Sequence, residues 1–339
     1  MNNFKKVGLT ALAGSLAAVS ANAAEMSVSG ASVLTYTTKD TTEVTGNPFG
    51  MKTNLSFTAS GDVNGMTVSY MQASKDQFAG MSSARLTIDM GDMGTLAFDQ
   101  GSGSGLATID DKTPTAAEEI WDNVDAAAGV GARGLVGAAG SSGVFNYIKS
   151  FGGITFNGAV RRGSGAATAD GGVSGAGQSA YDFALTGSGD VIGVDGLSWG
   201  AGYGEAENGS QTVTAAHDEQ GDDEHMTAFA NYSYGPVTFG YQMSHIKKGA
   251  SAGVDETVDA WGLAWNINEN LSLSYGERDV EYSNPSADDI TESGDGIAIA
   301  YTMGSMKIAG NRNEVSNNDN STADSAKDEN TEIAVSFAF

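Results

Sequence analysis

Glu118, Glu119, Asp122 and Asp125 fall on one side of a short amphipathic stretch, while Ala117, Ile120, Trp121 and Val124 fall on the other. Thr115 followed by Glu118 has the spacing of a capping box, so the stretch reads as a short helix that Gly129 and Gly131 end. Acids concentrated in this way act through their field, drawing cations toward them. The bases that could oppose them are few: Lys52 and Arg85 at polar positions of alternating segments, Arg133 just after the acidic stretch, and Arg161 near the end of another segment. Each could equally be solvated or paired.

Other chemistry is poorly supported. A catalytic base must lie within hydrogen-bond reach of a nucleophile or water. Of the three histidines, His217 and His225 sit in or beside a run containing Asp218, Glu219, Asp222, Asp223 and Glu224, and His245 stands near Lys247 and Lys248. No nucleophile motif accompanies them. The letters Gly129 to Gly134 match a dinucleotide fingerprint, but they follow the expected helix and lack the strand-turn-helix setting that cradles a pyrophosphate. No cofactor is expected. Ca²⁺ at the acidic outer links is conceivable through oxygen ligands, although no twelve-residue calcium-loop spacing occurs and a solvated charged surface explains the same residues.

The elements that must carry these groups are strands. Met51, Thr53, Leu55, Phe57 and Ala59 alternate with Lys52, Asn54, Ser56, Thr58 and Ser60, and Ala84, Leu86, Ile88 and Met90 alternate with Ser83, Arg85, Thr87 and Asp89. The pattern recurs at Ile154 to Arg161, Val237 to Ser244 and Gly296 to Met303, giving about sixteen segments of roughly 8 to 14 residues. Short links at Asp62 to Gly65, Gly91 to Gly94, Gly152-Gly153, Gly235-Pro236, Asn266 to Asn270 and Gly304-Ser305 alternate with longer ones, the longest running from Gly101 to about Ser141. The link at Asp76 to Met81 is short for its place and that around Gly187 to Gly196 is long. An even-stranded barrel in lipid has this alternation of turns and loops.

Both chain ends fit the same setting. Lys5 and Lys6, the apolar Val7 to Val19 and the small-x-small Ala21-Asn22-Ala23 read as a secretory signal peptide over residues 1–23, leaving a mature barrel over 24–339. At the other end Ile333, Val335, Phe337 and Phe339 alternate with Glu332, Ala334, Ser336 and Ala338, a strand that would close a barrel. Tyr147, Tyr232, Trp265 and Tyr301 join Phe337 and Phe339 near one set of strand ends, where amphipathic rings meet lipid headgroups. The 47 glycines and 4 prolines suit many strands and loose turns. A net charge of −25 excludes nucleic acid as a partner but not a membrane, since a barrel can hold its charges in lumen and loops. A soluble β-sandwich with core aromatics accounts for the strands alone.

The ordered set of these features resembles the general porins of Gram-negative outer membranes. The signal peptide, the opening strand from Glu25, the pair Val144 to Lys149 and Ser150 to Phe156, the hairpin from Trp265 and the terminal Phe339 carry the resemblance over the whole mature chain. It implies an all-β, sixteen-stranded antiparallel transmembrane barrel, a homotrimer, and a third loop folded into the lumen. The residues alone leave that loop free to lie over the outer surface instead. The resemblance further implies that basic wall residues, for which Lys52 and Arg85 qualify, face the acidic loop across a constriction, and that Phe339 belongs to the signal read by the barrel-assembly machinery. Two departures stand out: the Pro-Glu-Phe-Gly-Gly-Asp loop motif is missing, and the second loop is short for a latch onto a neighbouring subunit.

The function implied is a water-filled channel for passive diffusion of ions and small hydrophilic solutes, in contact with outer-membrane lipid and weakly cation-selective. An outer-membrane barrel enzyme and a structural or adhesive barrel are the alternatives. About sixteen strands enclose room for water, whereas an eight-stranded barrel is filled by its own side chains.

Overall fold

Alternation decides which face of each segment meets water, and pairing of these segments in register closes the chain on itself. The computed structural model describes residues 25–39, 48–74, 80–122, 124, 134–140, 142–162, 179–207, 221–249 and 253–339. The strands are β1 (Glu25–Lys39), β2 (Phe49–Val63), β3 (Met66–Ser74), β4 (Met81–Asp89), β5 (Thr95–Gln100), β6 (Ser142–Phe151), β7 (Ile154–Arg161) and β8 (Ala180–Ser188) in the first half. The second half supplies β9 (Leu197–Ala206), β10 (Asp223–Tyr234), β11 (Val237–Lys247), β12 (Asp255–Asn266), β13 (Leu271–Ser283), β14 (Ile290–Met303), β15 (Met306–Ser316) and β16 (Asp328–Ala338). Each strand pairs with its neighbours in sequence, and β16 returns to β1 to complete a closed barrel. The signal-peptide reading lies outside the described residues.

The seam is regular. Ala31 to Lys39 pair antiparallel with Ala338 to Asn330, and the backbones of Gly30 and Phe339 exchange two hydrogen bonds of 2.8 and 3.0 Å. The closing strand therefore has the role expected of it.

Cross-strand neighbours show what each face meets. Outward, Val28, Phe57, Leu86, Phe145, Phe239 and Ile297 form part of an exposed apolar surface, which a barrel turns to lipid. Tyr232, Trp265, Tyr301, Phe337 and Phe339 are exposed near the short-turn rim, and the Tyr147 hydroxyl there donates to the Met93 carbonyl at 2.6 Å. The turns on this rim are tight. Between β2 and β3, Asn64 and Gly65 both take positive φ (55° and 80°), the two-residue turn whose twist matches a hairpin. The turn after β8 is longer and begins with a 3₁₀ element, Gly189–Val191.

Strand lengths spread wider than the sequence suggests, from 6 residues in β5 to 15 in β1 and β2. β5 is short because the chain leaves the sheet at Gly101 to begin loop three, which runs inside the barrel.

Candidate functional site

Loop three is bound to the inner wall almost from its first residue. Asp99 on β5 is fully buried and accepts from the Ser102 backbone N–H (2.9 Å), the Ser102 hydroxyl and the Ser104 hydroxyl (2.7 Å). Arg85 on β4 stands 3.5 Å from the Asp99 carboxylate and donates to the Gly103 carbonyl at 3.1 Å and to Asn146. Arg85 thus has its charge paired at the root of the loop.

Beyond that root, wall side chains take the loop's backbone groups one after another. The Gly105 N–H goes to Asn157 on β7 (3.0 Å) and the Leu106 N–H to Asp182 on β8 (3.0 Å). Gln242 on β11 accepts from the Lys112 N–H (2.6 Å) and donates to the Ile109 carbonyl (2.8 Å), while Asn231 on β10 donates to the Lys112 carbonyl (2.7 Å). Leu106 and Ile109 pack with Val136, Ala184 and Ile246 into a small dry cluster between loop and wall. Buried backbone polar groups need such partners, and here the barrel supplies them.

The next stretch follows a row of missing side chains. Gly240, Gly262, Gly276 and Gly296 are in register across β11 to β14, and the row continues to Asn313 on β15 and Asn330 on β16. A Cβ on Gly240 would come within 2.3 Å of the Pro114 ring and one on Gly262 within 2.7 Å of the Pro114 carbonyl. A Cβ on Gly296 would lie 3.0 Å from Ile120. The glycines make a groove deep enough for the loop backbone to lie against the sheet. The Ala116 N–H donates to Ser274 (2.8 Å), and Asn313 donates to the Glu119 and Asp122 carbonyls (both 3.0 Å).

These contacts explain why the expected helix does not form. Among the described residues of loop three the helical element is a 3₁₀ turn, Gly105–Thr108, and residues 115–122 are bends and turns. The Thr115 hydroxyl accepts from the Ala117 N–H (3.3 Å) but donates to the Glu118 carbonyl (2.7 Å), where a capping box would have it accept from the Glu118 N–H. Asn313 on the wall holds the Glu119 and Asp122 carbonyls, which a helix would use internally, and among the described residues a single turn bond, Asp122 N–H to the Glu119 carbonyl at 3.1 Å, remains. The amphipathic spacing is real but serves packing on a wall, with Ile120 on the glycine row and Trp121 stacked over Arg278 at 5.0 Å.

The tip of the loop gathers the acids. Carboxylate oxygens of Glu118, Glu119 and Asp122 lie within 4.8 Å of one another. Burial pushes the Asp122 carboxyl up to about 7, helped by a hydrogen bond with Glu118 and the Glu119 charge, and burial likewise raises Glu119. Earlier in the loop, burial and then the neighbouring Asp111 push Asp110 up to about 7. Glu118 reaches Glu332 on β16 electrostatically, and Glu332 in turn feels Lys52 on β2, which is exposed on the inner face. Acidic tip and basic wall therefore face the same water.

The remaining sequence candidates separate. Asp125 and Arg133 lie outside the described residues. Arg161 lies at the loop's return, its guanidinium beside Gly140 and its charge acting on Asp182. That return is fixed by Gly134 N–H to Glu256 (2.7 Å), Gly137 N–H to His225 Nδ1 (3.3 Å) and Ala139 N–H to Asp182 (2.8 Å). His225 is thus a loop anchor. Of the acidic run, Asp223 and Glu224 pair with Lys248 and Lys247 at 3.3 and 2.6 Å, and Asp218 and Glu219 lie outside the described residues. The anchors Asp182, Gln242 and Asn313 and the glycine row were missed in the sequence: Gln242 and Gly240 read as ordinary positions of an alternating strand, and Asn313 as the start of an outer link running to Asn330, whereas the structure carries β15 on to Ser316 and begins β16 at Asp328.

Comparisons with known proteins agree with this architecture. The sequence matches the model of the Gram-negative porins over residues 8–320. Among solved structures, the chain resembles the in-vitro folded outer membrane protein OmpT of Vibrio cholerae, with a TM-score of 0.64 at 11% identity, covering 93% of this chain and 98% of that one. It resembles an anion-selective porin from Comamonas acidovorans with a TM-score of 0.63 at 13% identity, covering 94% of this chain and 100% of that one. A mutant of Rh. blastica porin gives 0.55 at 14% identity, covering 93% and 100%. No match was found among curated proteins.

Proposed function

Because the chain belongs to the Gram-negative porin family and is an outer-membrane channel protein, we propose that it conducts ions and small hydrophilic solutes by passive diffusion, with a weak preference for cations. What supports this reading is the grouping of Glu118, Glu119 and Asp122 in loop three, close together, with Glu118 in reach of Glu332, on which Lys52 also acts. Charges of a layer that narrows a low-dielectric tube govern which ions dwell there, and distant rim charges count for less because salt screens them within ~8 Å. The porin from Comamonas acidovorans is described as anion-selective; in this chain the sign is read from its own neck residues.

Reversal potentials across a planar bilayer in a salt gradient test the reading. Wild-type channels are expected to favour cations. Neutralising Glu118, Glu119 and Asp122 together is expected to weaken that preference, and Lys52→Gln to strengthen it. A reversal potential indifferent to the three loop acids, yet moved by removing Asp222 to Glu224, would place the selective element at the outer rim and defeat the assignment.

The same reading takes the barrel as a homotrimer in outer-membrane lipid, exported with a signal peptide over residues 1–23 and assembled through its terminal Phe339. It includes no catalytic step. Recovery of an uncleaved Met1 from outer-membrane material would contradict the export reading.

A further inference from the structure

Loop three is gripped from outside as well as from the wall. Loop eight, the outer link between β15 and β16 (residues 317–327), sets a buried foot against it: Asn318 is 8% exposed, and its Nδ2–H donates to the Val124 carbonyl at 2.9 Å, two residues beyond Asp122. Around the foot the backbone takes positive φ at Asn317 (57°), Asp319 (54°) and Asn320 (57°), a conformation that non-glycine residues keep where their surroundings over-determine it. The surroundings do so here. The Asn317 side chain donates to the Thr291 carbonyl at 2.9 Å, the Asn318 N–H to the Ala326 carbonyl at 3.0 Å and the Asp319 N–H to Glu292 Oε2 at 3.0 Å. The far part of loop eight, Thr322 to Asp324, is exposed.

Glu292 joins this foot to loop three. It is a buried carboxylate on β14 that also accepts from the Tyr282 hydroxyl at 2.8 Å, and its other oxygen lies 3.6 Å from the Arg278 guanidinium on β13. Arg278 is equally buried, and its guanidinium lies 5.0 Å from the centre of the Trp121 ring, a cation–π contact. Trp121 adjoins Asp122 in the chain. Two lines of contact thus run from loop eight to the acidic turn: Asn318 to Val124, and Asp319 through Glu292 and Arg278 to Trp121. The wall side chains Ser274 and Asn313 hold that stretch by its backbone, whereas the second line holds it by a side chain.

A buried ion pair adds little net stability, because desolvation offsets the attraction, yet unpairing either member is costly. What such a pair holds firmly is an arrangement. We infer that Glu292 is a positioning residue for ion selection: through Arg278 and Trp121, and together with Asn318, it makes loop eight an outer clasp that fixes where Glu118, Glu119 and Asp122 stand. The physical link is an unbroken series of packed and hydrogen-bonded groups, the kind of network along which two sites influence one another. An event confined to the exposed part of loop eight therefore changes the cation preference of the neck. This consequence rests on the three acids being the selective element.

The test opens the clasp without deleting a side chain. A thrombin site is inserted between Thr322 and Ala323 of the whole chain, the folded barrel is nicked there, and heat-modifiable mobility on gels verifies that it stays closed. The same site after Ala287, in the exposed link between β13 and β14, is the control. Two quantities are read before and after the nick: the reversal potential in a salt gradient, and the emission of Trp121, taken as the difference between each channel and its Trp121→Phe counterpart. Nicking loop eight is expected to shift that emission to the red, as the indole leaves Arg278 for water, and to remove most of the cation preference. Glu292→Ala, which unpairs Arg278 and frees the Asp319 N–H, is expected to do both unnicked and to leave the nick little to add. The control nick does neither. With Glu118→Gln, Glu119→Gln and Asp122→Asn in place, the nick and Glu292→Ala still shift the emission but no longer move the reversal potential. Emission indifferent to the nick overturns the clasp. So does a nick that moves the reversal potential equally with and without the three acids, because loop eight would then act on ions through its own charges. A red shift in a channel whose reversal potential ignores the three acids themselves leaves the clasp standing and defeats the selectivity reading instead.

Discussion

The root and the tip of loop three lie on the same wall but are held by different chemistry. The root uses buried charge: Asp99 with Arg85, Asp182 with two backbone N–H groups, and Leu106 and Ile109 shielded from water. The tip uses neutral amides and a glycine groove, and its own carboxylates stay uncompensated. A charge paired for anchorage contributes little field beyond its partner. The uncompensated charges are the ones an ion in the lumen meets, and the anchored root is what keeps them there.

The largest expected effect comes from breaking the root. Asp182→Ala strands the Leu106 and Ala139 N–H groups, each worth ~1–3 kcal/mol when buried without a partner, so roughly 2–6 kcal/mol of loop anchorage is lost. Limited proteolysis should then cut loop three, and single-channel current should become noisy; a quiet, resistant variant would mean that the root does not fix the loop. Next is the groove. Gly262→Val sets side-chain carbon where the Pro114 carbonyl lies and should cost about 1–3 kcal/mol and alter conductance, while Gly310→Ala, whose Cβ would meet ordinary contacts at 3.6 Å, should not.

A subtler pair of variants separates paired from unpaired charge. Exchanging Arg85→Gln and Asp99→Asn together removes a neutral pair and should leave the reversal potential near wild type, whereas the triple neutralisation at the tip moves it. Equal shifts would erase the distinction between root and tip. The smallest effect is titration of Asp110, which burial and then Asp111 make a weaker acid and Lys112 partly offsets. Its carboxyl sits at about 7, so its negative charge is present above that pH and lost below it. Cation preference should therefore fall as pH drops from about 8 to about 6, and the part of that fall absent from Asp110→Asn belongs to this residue; identical curves would remove Asp110 from the lumen field.

The barrel is legible in the sequence because each strand repeats a two-residue rule, as Met51 to Ser60 does, and because hairpins such as that at Asn64-Gly65 announce their turns. The inner layer is less legible for a physical reason. Gly240, Gly262, Gly276 and Gly296 are unremarkable one at a time and become a groove only when register places them side by side. Arg85 reads as a free lumen base because its partner, Asp99, sits on the next strand. The 115–125 stretch mimics a helix since one side of an irregular segment, packed on a wall, acquires much the same spacing of apolar residues as a helix face.

The seam between β1 and β16 makes the molecule's first and last strands neighbours. Entropy of closure grows only slowly with chain length, so the distance between them is no great thermodynamic obstacle. Its consequence is one of timing. Until Asn330 to Ala338 have been made, β1 has a bare edge with unpaired donors and acceptors, and so does whichever strand was finished last. A partial chain is a sticky sheet, never a smaller barrel. Such a protein must be kept apart from its fellows from its first strand to its last, and a premature stop anywhere upstream leaves an open edge that marks the product as unfinished.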